Sequence, residues 1–294
     1  NTLYHNYYMN NFLNIDEFDY KLPPELIAQY PVERRDQSRL IIYRKNTINE
    51  DIFANIHKYI GNEYCLVRNN SKVIPARILL KKETGATIEF FCLNPANDSI
   101  NDNIFSKKDN AQWHCLVKNI NKLKQNKISF SKTLNNETIT LNAEIKEHNN
   151  KDNTFTINFS WNPPSITFGK ILDLFGEIPL PPYIKRKSTL IDKDRYQTVY
   201  SNNNGSVAAP TAGLHFTQTI LNKLLKKGVN IYDITLHVSA GTFKPVKTQN
   251  IYSHNMHTEE IIITKSLIEN LLNNKQKIIC VGTTSLRALE SIYH

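Results

Sequence analysis

The sequence has no CxxC pair, and its four cysteines, Cys65, Cys92, Cys115 and Cys280, lie far apart. That spacing suits neither a zinc knuckle nor a disulfide framework, and a reducing, cytoplasmic setting is expected. No apolar run approaches the roughly 20 residues of a membrane span. The Asn- and Tyr-rich start also lacks a signal-peptide h-region, so a soluble protein with no membrane partner is expected. No GxGxxG follows a strand, which excludes the usual dinucleotide fingerprint and argues against the nucleotide loop of ordinary methyltransferases. There is no GxSxG, and Ser206, within GSVA, has no specific partner for covalent serine chemistry. HNMH at 254–257 lacks the HExxH order and has no cysteine nearby, so no metal site is expected.

What is present is length and positive charge. With 294 residues the chain can form one large or two ordinary domains, and its net charge of +9 suits a polyanion such as RNA. Lys far outnumbers Arg, and Asn and Ile are abundant, a mixture that AT-rich coding also produces, so the charge permits RNA binding without demonstrating it. Met9 precedes the first well-patterned segment, and residues 1–8 are expected to lie upstream of the natural start.

From Phe18 to Ile42 the pattern predicts a short extended piece, a proline-started turn at 24–29, a polar loop and a strand near 40–43. Arg34, Arg35, Asp36, Ser38 and Arg39 crowd the loop, either as a solvated cluster or as a phosphate-facing patch. Cys65 to Val67 and Val73 to Leu80 are strand-like. Further short strands are expected at 86–93, 113–117, 127–130, 138–145 and 154–159, separated by turns rich in Asn, Lys and Asp. No helical period interrupts them, which predicts a small all-β barrel. After Pro163 and Pro164 the pattern returns to helix, with a short one at 166–174, and the prolines of EIPLPPYIKR then stiffen an extended strip.

GSVAAPTAGLHF, 205–216, combines glycines, alanines and Pro210 with two polar side chains, Thr211 and His215. Small residues let main-chain N–H groups approach a ligand, although an ordinary turn with a core histidine has the same composition. Thr217 reads as the N-cap of a helix ending at Gly228. In VNIYDITLHV, Ile234, Leu236 and Val238 fall on one strand face, and Asp233, Thr235 and His237 on the other. A helix at 266–273, a strand at 278–281 that is apolar on both faces, and a last helix at 286–293 follow. This alternation predicts an α/β fold with parallel strands. His215, His237, His254 and His257 lie in or beside glycine-punctuated loops, a grouping suited to proton transfer near neutral pH. The βαβ layout predicts one pocket lined by His215, His237, Thr211 and Thr242. These residues alone indicate a nucleotide- or RNA-handling enzyme.

FDYKLPPELIAQYP, VIPAR, GEIPLPPYIKR, RYQTVY, GSVAAPTAGLHFT, LHVSAGTFKPV, HNMHTEE and VGTTSLRALE resemble, in order and spacing, the S-adenosylmethionine:tRNA ribosyltransferase-isomerase family of queuosine biosynthesis. The resemblance runs from about Ile15 to the end of the chain. It implies an α/β domain (9–72 and 161–294) with a small all-β barrel domain inserted at 73–160. It also implies that the ribosyl part of S-adenosylmethionine is transferred to 7-aminomethyl-7-deazaguanine at the tRNA wobble position and rearranged to epoxyqueuosine, releasing adenine and methionine. S-adenosylmethionine is then a substrate and no true cofactor is expected; the partner is precursor-bearing tRNA, and the protein is expected to be a monomer.

Carried onto the matching segments, the candidate catalytic residues are His215, His237, Thr211 and His257. Candidate substrate-binding residues are Arg77, Arg195, Tyr196, Gly205, Ser206, Pro210, Gly213, Gly241, Thr242, His254 and Glu259. For RNA, the β-unit rich in Lys and Asn offers Lys118, Lys122 and Lys124 by its charge, and the proline strip ends in Lys185 and Arg186. Where the family typically has Asn-Asp-Thr-Arg before VIPAR, this chain has Asn69, Asn70, Ser71 and Lys72, and Ser239 stands where glycine is usual. Members also continue beyond the final helix, which opens a second expectation: a truncated, catalytically silent remnant retaining at most tRNA binding.

Overall fold

Two-residue turns set the first hairpin. Lys45 and Asn46 have φ of 48° and 60°, the left-handed pair whose twist matches that of the strands it joins. They connect β1 (Arg39–Arg44) to β2 (Thr47–Ile52). The computed structural model describes residues 13–96, 103–123, 125–243, 246, 248–254 and 256–293; residues 1–8 lie outside them. β3 (Tyr64–Asn69) and β4 (Ser71–Val73) follow, then β5 (Arg77–Lys81), β6 (Thr87–Pro95), β7 (Asn110–Lys118), β8 (Lys127–Leu134), β9 (Glu137–Asn149) and β10 (Thr154–Asn162). Asn135 and Asn136, with φ of 49° and 63°, repeat the turn device between β8 and β9.

Helix α1 (Phe168–Phe175) starts at Thr167, whose side chain accepts from the Lys170 N–H, and it leads into β11 (Gly176–Glu177). α2 (Leu190–Arg195), β12 (Asn203–Ser206), α3 (Gln218–Lys226), β13 (Asn230–His237), β14 (Glu260–Ile262), α4 (Lys265–Asn273), β15 (Lys277–Val281) and α5 (Thr283–Tyr293) complete the chain. Thr217 caps α3 by accepting from Ile220 N–H, and Gly228 takes φ of 81° beyond its end, as the pattern predicted.

β5–β11 build one curled antiparallel sheet in the order β11-β5-β6-β7-β10-β9-β8. Inward residues such as Ile78, Phe90, Trp113, Leu141, Ile157 and Phe159 form its core, and α1 closes it with Phe168, Ile171 and Leu172. The expected barrel is therefore a half-barrel, since its end strands β11 and β8 are not paired with each other. Its core also recruits α1 and β11, from beyond residue 160.

The second sheet runs β14-β13-β3-β15, with β13 and β15 parallel to β3 and β14 antiparallel at one edge. α3 covers one face, where Ile220, Leu221 and Leu224 meet Phe53, Leu66 and Val281. Leu267 of α4 and Ala288 of α5 cover the other, against Val67, Ile234, Leu236 and Val238. The fold is thus mixed α/β, with parallel strands and helices on both faces. β15 was expected to be buried on both faces, but Ile278 is 47% exposed because the strand occupies the sheet edge.

Candidate functional site

In an open sheet with parallel strands, ligands bind beyond the carboxyl ends of the strands. Here β3 ends at Asn69, β13 at His237 and β15 at Val281, and the 203–216 loop crosses that edge. Hydrogen bonds fix the crossing. Asn203 Nδ2 donates to Thr235 Oγ1 at 2.7 Å, Thr235 donates to Asn70 Oδ1 at 2.7 Å, and Val207 N–H donates to the Val238 carbonyl at 3.0 Å. Asn69, fully buried, accepts from the N–H groups of Ser71 and Leu236 and donates to the Leu236 carbonyl. Buried amides of this kind make the loop a fixed surface.

His237 stands at the centre of this edge. Its Nδ1 is 2.7 Å from Ser71 Oγ, which is 2.6 Å from Ser206 Oγ, and Ser206 Oγ accepts from Val238 N–H at 2.9 Å. Gly205 has φ of +154° and packs against the imidazole so closely that a Cβ there would be 2.6 Å from the ring. Only glycine meets both demands. Burial pushes the His237 pKa below its ordinary value, and Glu260, its register partner on β14, opposes the shift.

His215 closes the turn at Thr211–His215. Its ring is 5.3 Å from that of Phe53. Burial lowers its pKa, a hydrogen bond to the Arg35 backbone raises it, and the Arg35 charge lowers it. The two histidines therefore have separate surroundings, His215 beside Phe53 and Arg35 and His237 between Ser71, Gly205 and Glu260. Thr211 and Thr242 are exposed, and Pro210 and Gly213 are buried. A cavity of about 810 Å3 lies alongside, bordered by Lys72, Arg35, Lys170, Lys193 and Asn204. It contains none of the four residues expected to share a pocket.

His257 and Glu259 are anchored from the far side of the sheet. Gly241 packs against the His257 ring so closely that a Cβ would lie 2.3 Å away. Arg287 of α5 donates to the His257 carbonyl and, at 2.6 Å, to Glu259 Oε2, while Glu259 Oε1 accepts from Ser239 N–H. His254 is half-buried, its N–H donating to the Ile251 carbonyl.

Several residues expected to touch substrate or RNA are committed within the protein. Ser206 is fully buried and Glu259 uses both oxygens internally. Arg77 forms a two-pronged pair with Glu89 at 3.0 Å, and Arg195 donates to the carbonyls of Val32 and Glu33. Tyr196 is buried, which raises its pKa. Arg186 grips Asp192 through two 2.7 Å bonds and lies 4.4 Å over the Tyr30 ring. Lys118, Lys122 and Lys185 are exposed, and Lys124 lies outside the described residues. Of the 34–39 charge cluster, Arg34 and Arg39 are solvated, whereas Arg35 donates to the carbonyls of Asp194, Gln197 and Leu214 and so ties two loops together.

Ser71, Asn69 and Arg287 escaped the sequence reading as site residues. Asn69 and Ser71 sit in the NNSK run and Arg287 in VGTTSLRALE, so their segments carried the only signal. Among the described residues, no group of three or more His, Cys, Asp or Glu side chains could hold a metal ion, and no helix is long and apolar enough to cross a membrane.

A family model described as "Queuosine biosynthesis protein" matches residues 15–294. An S-adenosylmethionine:tRNA ribosyltransferase-isomerase of Sulfurihydrogenibium sp. (strain YO3AOP1) is 43% identical over 289 residues, 95% of this chain and 78% of its own. A protein of the same name from Thermosipho melanesiensis is 42% identical over 293 residues, covering 95% and 77%. A crystal structure of S-adenosylmethionine tRNA ribosyltransferase from Thermotoga maritima aligns with 95% of this chain and 73% of its own, at 28% identity and a TM-score of 0.40.

Proposed function

Because the chain belongs to the queuosine biosynthesis protein family, we propose that it is a tRNA-modifying transferase and isomerase. It moves the ribosyl moiety of S-adenosylmethionine onto 7-aminomethyl-7-deazaguanine at the tRNA wobble position, forms epoxyqueuosine, and releases adenine and methionine. The observation that carries this reading is the convergence of two motif segments with the NNSK run before VIPAR at one strand edge: Ser71 from NNSK, Ser206 from GSVAAP and His237 from LHVSAG are hydrogen-bonded in series. Segments separated by 135 and 166 positions meet where an α/β sheet holds its ligand.

The chemistry makes three demands. A base removes a proton beside the sulfonium, a donor assists adenine departure, and the pocket accepts a cation together with an exposed anticodon base. His215, His237, Thr211 and His257 are the side chains proposed to meet them, with Gly205, Gly241 and Thr242 shaping the loops. His215 and His237 are held towards their neutral forms by burial, which keeps a second positive charge away from the sulfonium. S-adenosylmethionine enters as the ribosyl donor, and no further cofactor is invoked. Residues 9–72 with 161–294 are proposed as the α/β unit and 73–160 as an inserted unit whose Lys118 and Lys122 meet tRNA phosphates. A cytoplasmic monomer is the assembly proposed.

The test is adenine release from S-adenosylmethionine by the purified chain with precursor-bearing tRNA. Release that requires the aminomethyl precursor supports the reading. Release without tRNA, or none with it, overturns it.

A further inference from the structure

Ser71, Ser206 and His237 form a chain of hydrogen bonds in which every proton can be assigned. Ser71 and Ser206 are both fully buried, so neither hydroxyl can turn to water. Ser206 Oγ accepts the Val238 N–H, and its other partner is Ser71 Oγ at 2.6 Å. The Ser206 hydroxyl proton therefore points to Ser71. Ser71 Oγ, having accepted it, directs its own proton to its remaining partner, His237 Nδ1, at 2.7 Å. The reverse order, Nδ1–H to Ser71 and Ser71 to Ser206, leaves the buried Ser206 O–H without an acceptor, which folded proteins avoid.

We infer that Ser71 and Ser206 lock His237 in the Nε2–H tautomer, so that His237 meets its ligand as a hydrogen-bond donor and does not remove the proton beside the sulfonium. The only lone pair of the neutral ring is at Nδ1 and is already taken by Ser71. Nε2–H has no partner among the described residues. Glu260, the charged group opposite on β14, is exposed and not bonded to the ring. The ligand atom that meets Nε2 is thus an acceptor, such as an adenine nitrogen, a ribose oxygen or a carboxylate. Ser71 and Ser206 are positioning residues. The identity of the ligand rests on the proposed function, whereas the tautomer does not.

Two measurements decide the inference. In the full chain labelled with 15N-histidine at neutral pH, long-range proton–nitrogen correlation should show His237 with a protonated, pyrrole-type Nε2 and a pyridine-type Nδ1, its signals identified by their loss in His237→Gln. Ser71→Thr should keep this pattern, and Ser71→Ala should mix the tautomers. In turnover, the Gln amide supplies an N–H near the position of Nε2–H but no base. His237→Gln should therefore release adenine within about tenfold of the unaltered chain, while His237→Ala loses on the order of a hundredfold. A pyrrole-type Nδ1, or Gln as inactive as Ala, overturns the inference. Absence of adenine release from the unaltered chain would instead defeat the proposed function, and the nitrogen spectrum would still decide the tautomer.

Discussion

Replacing Gly205 with alanine tests how tightly the 203–216 loop is shaped around His237. At φ of +154° the position lies in backbone space that side-chain-bearing residues rarely adopt, at a cost on the order of 1–3 kcal/mol. The new Cβ would lie 2.6 Å from Cε1 and Nδ1 of His237 and 2.8 Å from Cγ. These are atoms of one rigid ring, so relief requires the whole imidazole to shift. That shift breaks the 2.7 Å bond to Ser71, adding about 1 kcal/mol. The expected loss is about 2–4 kcal/mol, large beside a domain stability of roughly 5–15 kcal/mol. Urea denaturation should show a lower midpoint at an unchanged slope, and adenine release should fall with it. Gly241→Ala provides a comparison, since it meets the His257 ring at 2.3 Å but has no positive φ. A loss below about 0.5 kcal/mol with normal adenine release by Gly205→Ala would refute the reasoning.

Other expectations follow from particular contacts. Asp192→Ala removes the partner of Arg186, whose side chain is 15% exposed, and should cost about 3–5 kcal/mol in a denaturation midpoint. His215 and His237 both have folded pKa values below their ordinary 6.5, so below that pH the unfolded chain binds more protons. Their contribution is complete above about pH 6.5 and is lost as pH falls through the folded values; midpoints at about pH 7.5 and 5.5 should show lower stability in acid, and the His215→Gln, His237→Gln double variant should lose less. Lys118→Ala with Lys122→Ala should weaken tRNA binding and reduce the slope of log affinity against log salt by about one per lost phosphate contact, whereas an unchanged slope would remove the half-barrel from the RNA surface.

Local signals in the sequence were strong where one residue type solves one local problem. Thr217 and Gly228 bound α3 because an N-cap oxygen and a left-handed exit leave few alternatives. The alternation of β13 was legible because Ile234, Leu236 and Val238 must share the core. β2 was not, since TINEDI is polar and its Ile48 is 71% exposed. The edge strand β14 left no pattern because its three residues, Glu260–Ile262, are too few to show an alternation. At the site, His237 was visible as a polar residue on the second face of a strand. Ser71 was not, because it lies in a polar run and its partners Ser206 and His237 are 135 and 166 positions away. Arg35 read as solvated charge because the carbonyls it holds belong to residues 159–179 positions downstream. Long-range hydrogen bonds impose no periodicity on either partner.

The central claim is tested most directly by following the ribosyl carbons. The chain is incubated with S-adenosylmethionine labelled in the ribose and with tRNA bearing 7-aminomethyl-7-deazaguanine, and the digested nucleosides are analysed by mass spectrometry. The account predicts label in epoxyqueuosine at the wobble position, in one-to-one ratio with released adenine. Label that stays in S-adenosylmethionine, or adenine released with no label in the tRNA, would contradict it.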